Sequence, residues 1–271
     1  MDTLSLTTKY LRMIAPTGIT MSTATGFMYQ IESVVYLVTN GHNLTRLNAH
    51  DGTRIIDSVA FPVKIEFGVR GIAASDETLI GLGITNIDLY HDEFYTKPKW
   101  FVHPEHGYKV DVVVIPYATV EGYTGNLRMY PINHCDFVDG YNLAVSDDVF
   151  ILGYPLNLTG NYELPIWKRG SVATEPSLDL DALPMFLIDT ATRPGMSGSP
   201  VIMQRSGFHM KGKELNTNDL IGTIRTFVGV YSGRLGTSNQ VEAQLGIVWK
   251  PNVIEEIING GVIGSIDFQN K

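Results

Sequence analysis

Short runs of β-branched and aromatic residues recur along almost the whole chain. They include SVVYLVTN (33–40), DVVVIPY (111–117) and SPVIM (199–203), with Gly, Pro, Asn or Asp at or near their ends. Runs of this length and composition predict strands, and their close spacing favours antiparallel barrels or sandwiches over alternating strands and helices. Only PNVIEEIING (251–260) has the start and stop signals of a helix. The sequence therefore predicts an all-β chain with one short helix near its C-terminal end.

The predicted strands fall into two groups. Between them lies a stretch of weak periodicity and many turn residues, roughly residues 118–146. A chain of 271 residues is long enough for two modest domains, each with its own core. We therefore predict an N-terminal β domain at residues 1–125 and a C-terminal β domain, which includes the helix, at residues 126–271.

The composition argues against several kinds of partner. A formal net charge of −8, with no run of Lys or Arg, is unsuited to general binding of nucleic acid. No apolar run reaches the ~18–20 residues that span a bilayer, and the first residues lack the pattern of a signal peptide. The single cysteine, Cys135, has no second cysteine with which to form a disulfide within the chain. We expect a cytoplasmic protein that binds neither nucleic acid nor membrane.

The sequence RPGMSGSPV (193–201) places Ser197 between two nearby glycines. A plain surface turn explains this composition. So does a nucleophile on a tight loop whose backbone N–H groups point at an incoming carbonyl group. The second interpretation requires a histidine and a carboxylate elsewhere in the chain, because a serine hydroxyl needs a base to activate it.

Two polar residues beside predicted strands meet that requirement. His42 follows VVYLVTNG, where a buried strand ends and the chain turns, a position suited to a general base. Asp111 begins DVVVIPY, and burial of its carboxylate would be costly without a partner such as an imidazole N–H. Taken singly, each is more simply explained as a polar residue at a turn or at the start of a strand.

Taken in chain order as His, Asp and Ser, these residues resemble those of the chymotrypsin-like serine peptidases. The resemblance covers roughly residues 10–258. TGFMYQIESVVYLVTNGHNL resembles the lead into the catalytic histidine of that family, although Asn40 and Gly41 replace the usual Ala-Ala or Ala-Gly. DVVVI resembles the strand that carries the aspartate, and GMSGSPV is similar to Gly-x-Ser-Gly-Gly-Pro, with Ser199 replacing a glycine. LIDTATRPGMSGSPV is closest to the bacterial HtrA/Deg type, without a PDZ module.

The resemblance implies two packed antiparallel β-barrels with a catalytic triad in the cleft between them. His42 takes the role of general base, Asp111 that of the residue that orients it, and Ser197 that of the nucleophile. The N–H groups of Gly195 and Ser197 would form the oxyanion hole. FVGVYSG resembles the substrate-binding strand of the family, in which Ser232 falls where a serine binds the carboxylate of the triad.

The resemblance also implies where the side chain before the scissile bond would bind. Ala191 would lie at the base of that pocket, with Gly233 and Gly246 in its walls, so we expect an uncharged aliphatic or small residue there. A shifted loop would instead bring a charged residue to the pocket. The candidates for that arrangement are Asp189, Arg193 and Arg234.

The function implied is that of a serine endopeptidase that cleaves protein or peptide substrates through an acyl-enzyme, with no metal or organic cofactor. Met196 stands where secreted relatives have an aspartate that pairs with a new N-terminus. The loop must therefore be ordered by its own packing, by a ligand or by a regulatory protein partner. The alternative is a non-catalytic binding or scaffold module on the same fold.

Two other clusters contain residue types that can bind a metal ion or act as a nucleophile. His103 and His106, in HPEH, suggest a metal pair, but no third ligand stands at a useful spacing, and we expect a solvated loop. Cys135 follows His134, but no glycine loop that could form an oxyanion hole surrounds it, and we expect a residue of a connecting loop.

Overall fold

A computed structural model describes residues 1–48, 53, 60–72, 79–119, 129–138, 140–209, 220–234 and 244–265. Most of these residues lie in two antiparallel β-sheets. A short helix follows the last strand of the second sheet. The all-β fold class, with two antiparallel units as in the chymotrypsin-like peptidases, is therefore confirmed.

Fourteen strands, three α-helices and three short 3-10 helices are present in the described residues. The strands are β1 (Thr8–Ile14), β2 (Thr20–Ile31), β3 (Val34–Thr39), β4 (Lys64–Ile72), β5 (Leu79–Asp88), β6 (Phe101–Val102), β7 (Val113–Thr119), β8 (Asp148–Gly153), β9 (Ile166–Val172), β10 (Met185–Asp189), β11 (Pro200–His209), β12 (Leu220–Arg234), β13 (Leu245–Trp249) and β14 (Val262–Ile263). The α-helices are α1 (Leu4–Thr7), α2 (Gly41–Thr45) and α3 (Asn252–Gly260). Among the described residues, no helix has the length and apolar character needed to cross a membrane.

The first unit is an eight-stranded sheet in the order β14-β6-β7-β3-β2-β1-β4-β5. Its central strands are apolar on both faces. Leu37 of β3 points into the core of this unit, whereas its neighbour Val38 joins the cluster that packs against the second unit. Val113 and Val114 of β7 divide in the same way. Burial on both faces explains why these runs are continuously apolar and do not alternate.

The second unit is a closed six-stranded barrel in the order β10-β13-β12-β11-β8-β9. Ile151 and Ile188 are in its core, together with Met196 from the loop before β11. Leu152 and Ile202 point the other way and pack against the first unit. The interface between the two units is thus itself a hydrophobic core, which fixes the residues on its two sides relative to one another.

The chain crosses back to the first unit after the barrel is complete. Val253, Ile254 and Ile257 of α3 are fully buried in the cluster between the two units. Gly261 ends the helix in the left-handed region, with its N–H donating to the carbonyl of Ile257 at 3.1 Å. The strand β14 then pairs with β6. This segment was predicted to belong to the second domain, yet its last strand completes the sheet of the first; the predicted boundary at residues 125–126 lies outside the described residues.

Candidate active site

The short helix α2, which follows β3, positions His42. The chain turns directly from β3 into α2, so His42 stands at the end of a buried strand, as its sequence position predicted. A Cβ on Gly41 would lie 3.2 Å from Asp111 Oδ1 and 3.3 Å from the ring of Tyr108. The glycine before His42 therefore lets the carboxylate approach the helix closely.

Asp111 is 3% exposed, and its buried carboxylate is bound from several sides. Its Oδ2 lies 2.6 Å from His42 Nδ1, and its Oδ1 accepts the backbone N–H of His42 at 2.8 Å. Asn40 donates its side-chain amide to the backbone carbonyl of Asp111 at 2.6 Å. Asn40, which departs from the family pattern, thus helps to hold Asp111 in place.

Ser232 donates its hydroxyl to the same carboxylate oxygen that faces the imidazole, Asp111 Oδ2. A carboxylate held in this way fixes the ring of His42 with its Nδ1–H toward Asp111, which leaves Nε2 unprotonated and able to accept a proton. Burial lowers the pKa of His42, but the charge of Asp111 and its hydrogen bond outweigh that effect, so the pKa is raised above its ordinary value.

Ser197 lies where the two units meet, and backbone contacts to both of them hold it. Its carbonyl accepts the N–H of Thr25 at 2.9 Å and lies 3.4 Å from the side-chain amide of Asn43, the residue after His42. The next residue, Gly198, donates its N–H to the carbonyl of Tyr231 at 2.9 Å. Within the described part of the chain, the Ser197 hydroxyl has no hydrogen-bond partner, His42 included.

Two backbone N–H groups of this loop, those of Gly195 and Ser197, have no acceptor among the described residues. Pro194 accepts a hydrogen bond from the N–H of Leu156 at 2.8 Å, and Met196 accepts one from Ser199 at 3.1 Å. Because a trans peptide places C=O and N–H on opposite sides, the N–H groups of Gly195 and Ser197 point away from those partners. None of the described residues accepts a hydrogen bond from either of them. An oxyanion hole uses backbone N–H groups that have no protein acceptor, and the assignment of Gly195 and Ser197 to that role stays a prediction.

The two glycines of the loop are explained by conformation and by close approach. Gly195 and Gly198 have φ values of 96° and 87°, which residues other than glycine rarely adopt. A Cβ would lie 2.4 Å from the carbonyl oxygen of Tyr154 in the first case and 2.1 Å from that of Thr25 in the second. A side chain at either position would therefore displace the loop from the strands that support it.

The residues predicted to bind the substrate side chain lie in two different environments. Ala191, Ser232 and Gly233 are partly exposed. Gly246, by contrast, is buried, and a Cβ there would lie 2.6 Å from Cε2 of Tyr231. The space beside Gly246 is thus filled by a tyrosine ring that the sequence analysis did not consider. The role of these four residues in substrate binding stays a prediction.

The three charged alternatives for that pocket are all exposed at the surface. Asp189 is the last residue of β10, and Arg234 is the last residue of β12. Arg193 donates a guanidinium N–H to the carbonyl of Thr192 at 3.2 Å. The charge of Arg234 acts on the pKa of Tyr231, so this arginine lies near that residue. The alternative in which a charged residue reaches the pocket stays a prediction.

The other two clusters take no part in this site. His103 is only 4% exposed and binds Glu256, so the solvated loop expected there is wrong for this residue. Among the described residues, no group of three His, Cys, Asp or Glu side chains is arranged to hold a metal ion. Burial, followed by the charges of Asp136 and Asp2, raises the pKa of Cys135 to about 11, which disfavours its thiolate at neutral pH.

Comparisons with known proteins place the chain only in the broadest terms. No protein-family model matches it, and no curated protein matches it. Solved structures of serine proteases are similar in shape. The serine endoprotease from Yersinia pestis has a TM-score of 0.49 and 10% identity, and the match covers 96% of this chain. This chain spans 66% of that protein's length, just under two thirds.

Two structures of Rv3671c from M. tuberculosis are similar to a comparable degree. The active form of the protease has a TM-score of 0.45 at 14% identity, over 97% of this chain and 82% of the other. An inactive form has a TM-score of 0.43 at 13% identity, over 94% and 86%. Similarity at this level says nothing about individual residues, so a functional assignment depends on the geometry of this chain's own side chains.

Proposed function

We propose that the protein is a serine endopeptidase in which His42, Asp111 and Ser197 form a catalytic triad. One observation carries the proposal. The buried carboxylate of Asp111 holds the ring of His42 through Nδ1. Ser197 lies at the same junction between the two units, and the N–H groups of Gly195 and Ser197 have no protein partner among the described residues. A surface turn needs none of these features, whereas acyl transfer needs all of them.

The proposed reaction follows from the direction of each group. Ser197 Oγ attacks the carbonyl carbon of a peptide bond while Nε2 of His42 takes its proton. The negative charge that develops on the carbonyl oxygen is stabilised by the N–H groups of Gly195 and Ser197, each worth about 2.7–4 kcal/mol in such sites. The C–N bond then breaks as His42 returns the proton to the leaving amine. Water attacks the resulting ester in the same manner and releases the acid.

Asp111 supports this reaction without donating or accepting the transferred proton. Its hydrogen bonds fix the tautomer of His42, and its charge stabilises the imidazolium that forms after proton transfer. Because the charge of Asp111 stabilises the protonated ring, it also raises the pKa of His42. Ser232, bound to the same oxygen, keeps the carboxylate aimed at the ring.

The packing of Met196 favours one of the three ways in which the loop could be ordered. Its side chain is fully buried in the core of the barrel that forms the second unit. The loop is therefore anchored by its own apolar contact, which is how we propose that it remains ordered before substrate binds. A regulatory protein partner, a protein or peptide substrate and a cytoplasmic location stay predictions from the sequence.

Labelling by a fluorophosphonate probe tests the proposal, because the probe reacts covalently with an activated serine. We expect one label per chain at Ser197, with loss of labelling and of peptide hydrolysis in Ser197→Ala. Ser199→Ala is the matched control. Its hydroxyl is buried and has no hydrogen-bond partner in the described structure, so its removal should leave labelling unchanged. Equal labelling of the Ser197→Ala variant would exclude this nucleophile.

One observation supports the rival function of a non-catalytic binding module. The structure shows no hydrogen bond between the Ser197 hydroxyl and the His42 ring. Such bonds are often long in unliganded sites and shorten when substrate binds. If the wild-type protein takes up no probe and cleaves no peptide over a range of pH and salt, the module is the better description.

A further inference from the structure

Tyr231 lies immediately beside the proposed nucleophile. Its carbonyl accepts the N–H of Gly198, and its N–H donates to the carbonyl of Ser199 at 2.8 Å. The next residue, Ser232, binds Asp111. A substrate whose carbonyl carbon meets Ser197 Oγ would therefore lie close to the segment around Tyr231.

The ring of Tyr231 turns inward from this segment and fills the space below it. The residue is 2% exposed, and it belongs to the hydrophobic core of the barrel. Its hydroxyl forms a hydrogen bond with the hydroxyl of Thr192, which is 1% exposed. Across the ring, Cε2 lies 2.6 Å from where a Cβ on Gly246 would stand. Glycine at 246 thus makes room for the tyrosine and opens no space to solvent.

The exposure of the neighbouring residues shows where the open space ends. Ala191, Ser232 and Gly233 are partly exposed, whereas Thr192, Tyr231 and Gly246 are buried. A substrate side chain can reach the first group, whereas Thr192 and Gly246 are buried against the ring of Tyr231. The hydroxyls of Tyr231 and Thr192 share one hydrogen bond, and both residues are buried.

We propose that Tyr231 closes the pocket on the acyl side of the scissile bond and restricts cleavage to substrates with Gly, Ala or Ser at that position. The inference depends on the proposed function, and it narrows the substrate class expected from the sequence. A larger side chain would have to move a ring that is packed in the core and hydrogen-bonded to Thr192. Overpacking of this kind is costly, so we expect kcat/KM to fall about 100-fold from Ala to Leu or Phe.

The experiment is a series of peptides that differ only in the residue before the cut, assayed with the wild-type full-length chain. The series contains Gly, Ala, Ser, Leu, Phe, Lys, Gln and Glu. Tyr231→Ala should accept Leu and Phe at rates close to that for Ala, because the ring is gone. Tyr231→Phe is the matched control: it keeps the ring and removes the hydroxyl, and should keep the preference for small residues.

The results that would overturn the inference differ from those that would overturn the proposed function. Wild-type preference for Leu, Phe or Lys would show that the pocket is open. Preference for Gln or Glu that Tyr231→Phe abolishes would show that the hydroxyl recognises substrate. If Tyr231→Ala does not fold, the wild-type series alone decides. Absence of both hydrolysis and fluorophosphonate labelling would instead reject the peptidase itself, and the inference with it.

Discussion

Two histidines of the described structure each lie beside a carboxylate. His103 is buried, whereas His42 is partly exposed. His42 Nδ1 lies 2.6 Å from Asp111 Oδ2, and His103 Nε2 lies 2.9 Å from Glu256 Oε2. Proximity of an imidazole to a carboxylate therefore does not by itself distinguish a general base from a structural residue. The difference lies in the second nitrogen of each ring.

The second nitrogen of His103 is occupied. Its Nδ1 accepts the backbone N–H groups of Glu105 at 3.2 Å and His106 at 3.1 Å, so the hydrogen bond to Glu256 is donated by its Nε2–H. Desolvation raises the pKa of Glu256, but the hydrogen bonds from His103 and Asn252 outweigh it, so the pKa is lowered. For His42, by contrast, none of the described residues binds Nε2. A base needs an unoccupied nitrogen.

The largest difference in kcat between the two histidine–carboxylate pairs is expected when each carboxylate is replaced by its amide. Asp111→Asn should lower kcat about 10⁴-fold near neutral pH, because the amide favours the wrong tautomer of His42. Glu256→Gln, the matched change at the other pair, should change kcat less than twofold. Steady-state hydrolysis of one peptide by both variants makes the comparison. A loss below tenfold for Asp111→Asn would mean that another group orients His42.

The pH dependence should reflect His42 alone. Its pKa is raised above the ordinary 6.5, and the ring must be neutral to accept the proton of Ser197. The rate should therefore fall about tenfold per pH unit below that raised pKa, or about 100-fold over two units. The stability that the ion pair contributes runs the other way: it is present below the unfolded pKa and is lost as pH rises through the folded one.

Profiles of kcat/KM and of chemical unfolding between pH 5 and pH 9 would measure both trends. Glu256→Gln serves as the control and should leave the acidic limb of the rate profile in place. If Glu256→Gln shifts the acidic limb of the rate profile, the titrating group is His103 and not His42. A limb at or below 6.5 in the wild-type protein would contradict the raised pKa of His42.

Removal of the third contact to Asp111 should have a smaller effect. Ser232→Ala deletes one hydrogen bond to the carboxylate and leaves the two from His42 in place. We expect kcat to fall about tenfold, in line with one charge-assisted hydrogen bond, and fluorophosphonate labelling to persist. Ser206→Ala, which removes a hydroxyl bound to Thr223 on the surface of the same barrel, is the control. An equal effect of both changes would remove any special role for Ser232.

The smallest effect on catalysis is expected from the structural histidine. His103→Ala leaves two backbone N–H groups and Glu256 without their partner. The free energy of unfolding should fall by about 2 kcal/mol, while kcat changes less than twofold. Chemical denaturation and peptide hydrolysis on the same preparation would measure both quantities. A large loss of kcat with unchanged stability would mean that the two histidines communicate.

Much of the fold could be predicted because the strands carry strong local signals. The continuous apolar run of β7, for example, is required by burial on both of its faces. The pairing of β14 with β6 had no such signal, since each is two residues long and they lie far apart in sequence. His103 was misjudged for a related reason: its burial depends on α3, which packs over it from the other end of the chain.

The site could be predicted only in part. Features with a local sequence signal could be predicted, whereas contacts between residues far apart in sequence could not. The glycines around Ser197 carry the mark of a tight loop in the sequence itself, and the structure shows the positive φ angles that they permit. Nothing local reveals that Leu156 orients the loop by binding the carbonyl of Pro194, or that Tyr231 lies against Gly246. These contacts arise when separate strands meet in the barrel. The triad roles and the binding residues remain predictions until the variants are assayed.

The strap formed by α3 and β14 has a consequence for how the protein is made. His42 and Asp111 are supplied by the first unit and Ser197 by the second, and the strap joins the two only after both have been synthesised. During translation the first sheet lacks its edge strand until the ribosome has released residues 262–263. Because α3 and β14 follow both units in the chain, the contacts that they make with the two units form only after the strands of both units have been synthesised.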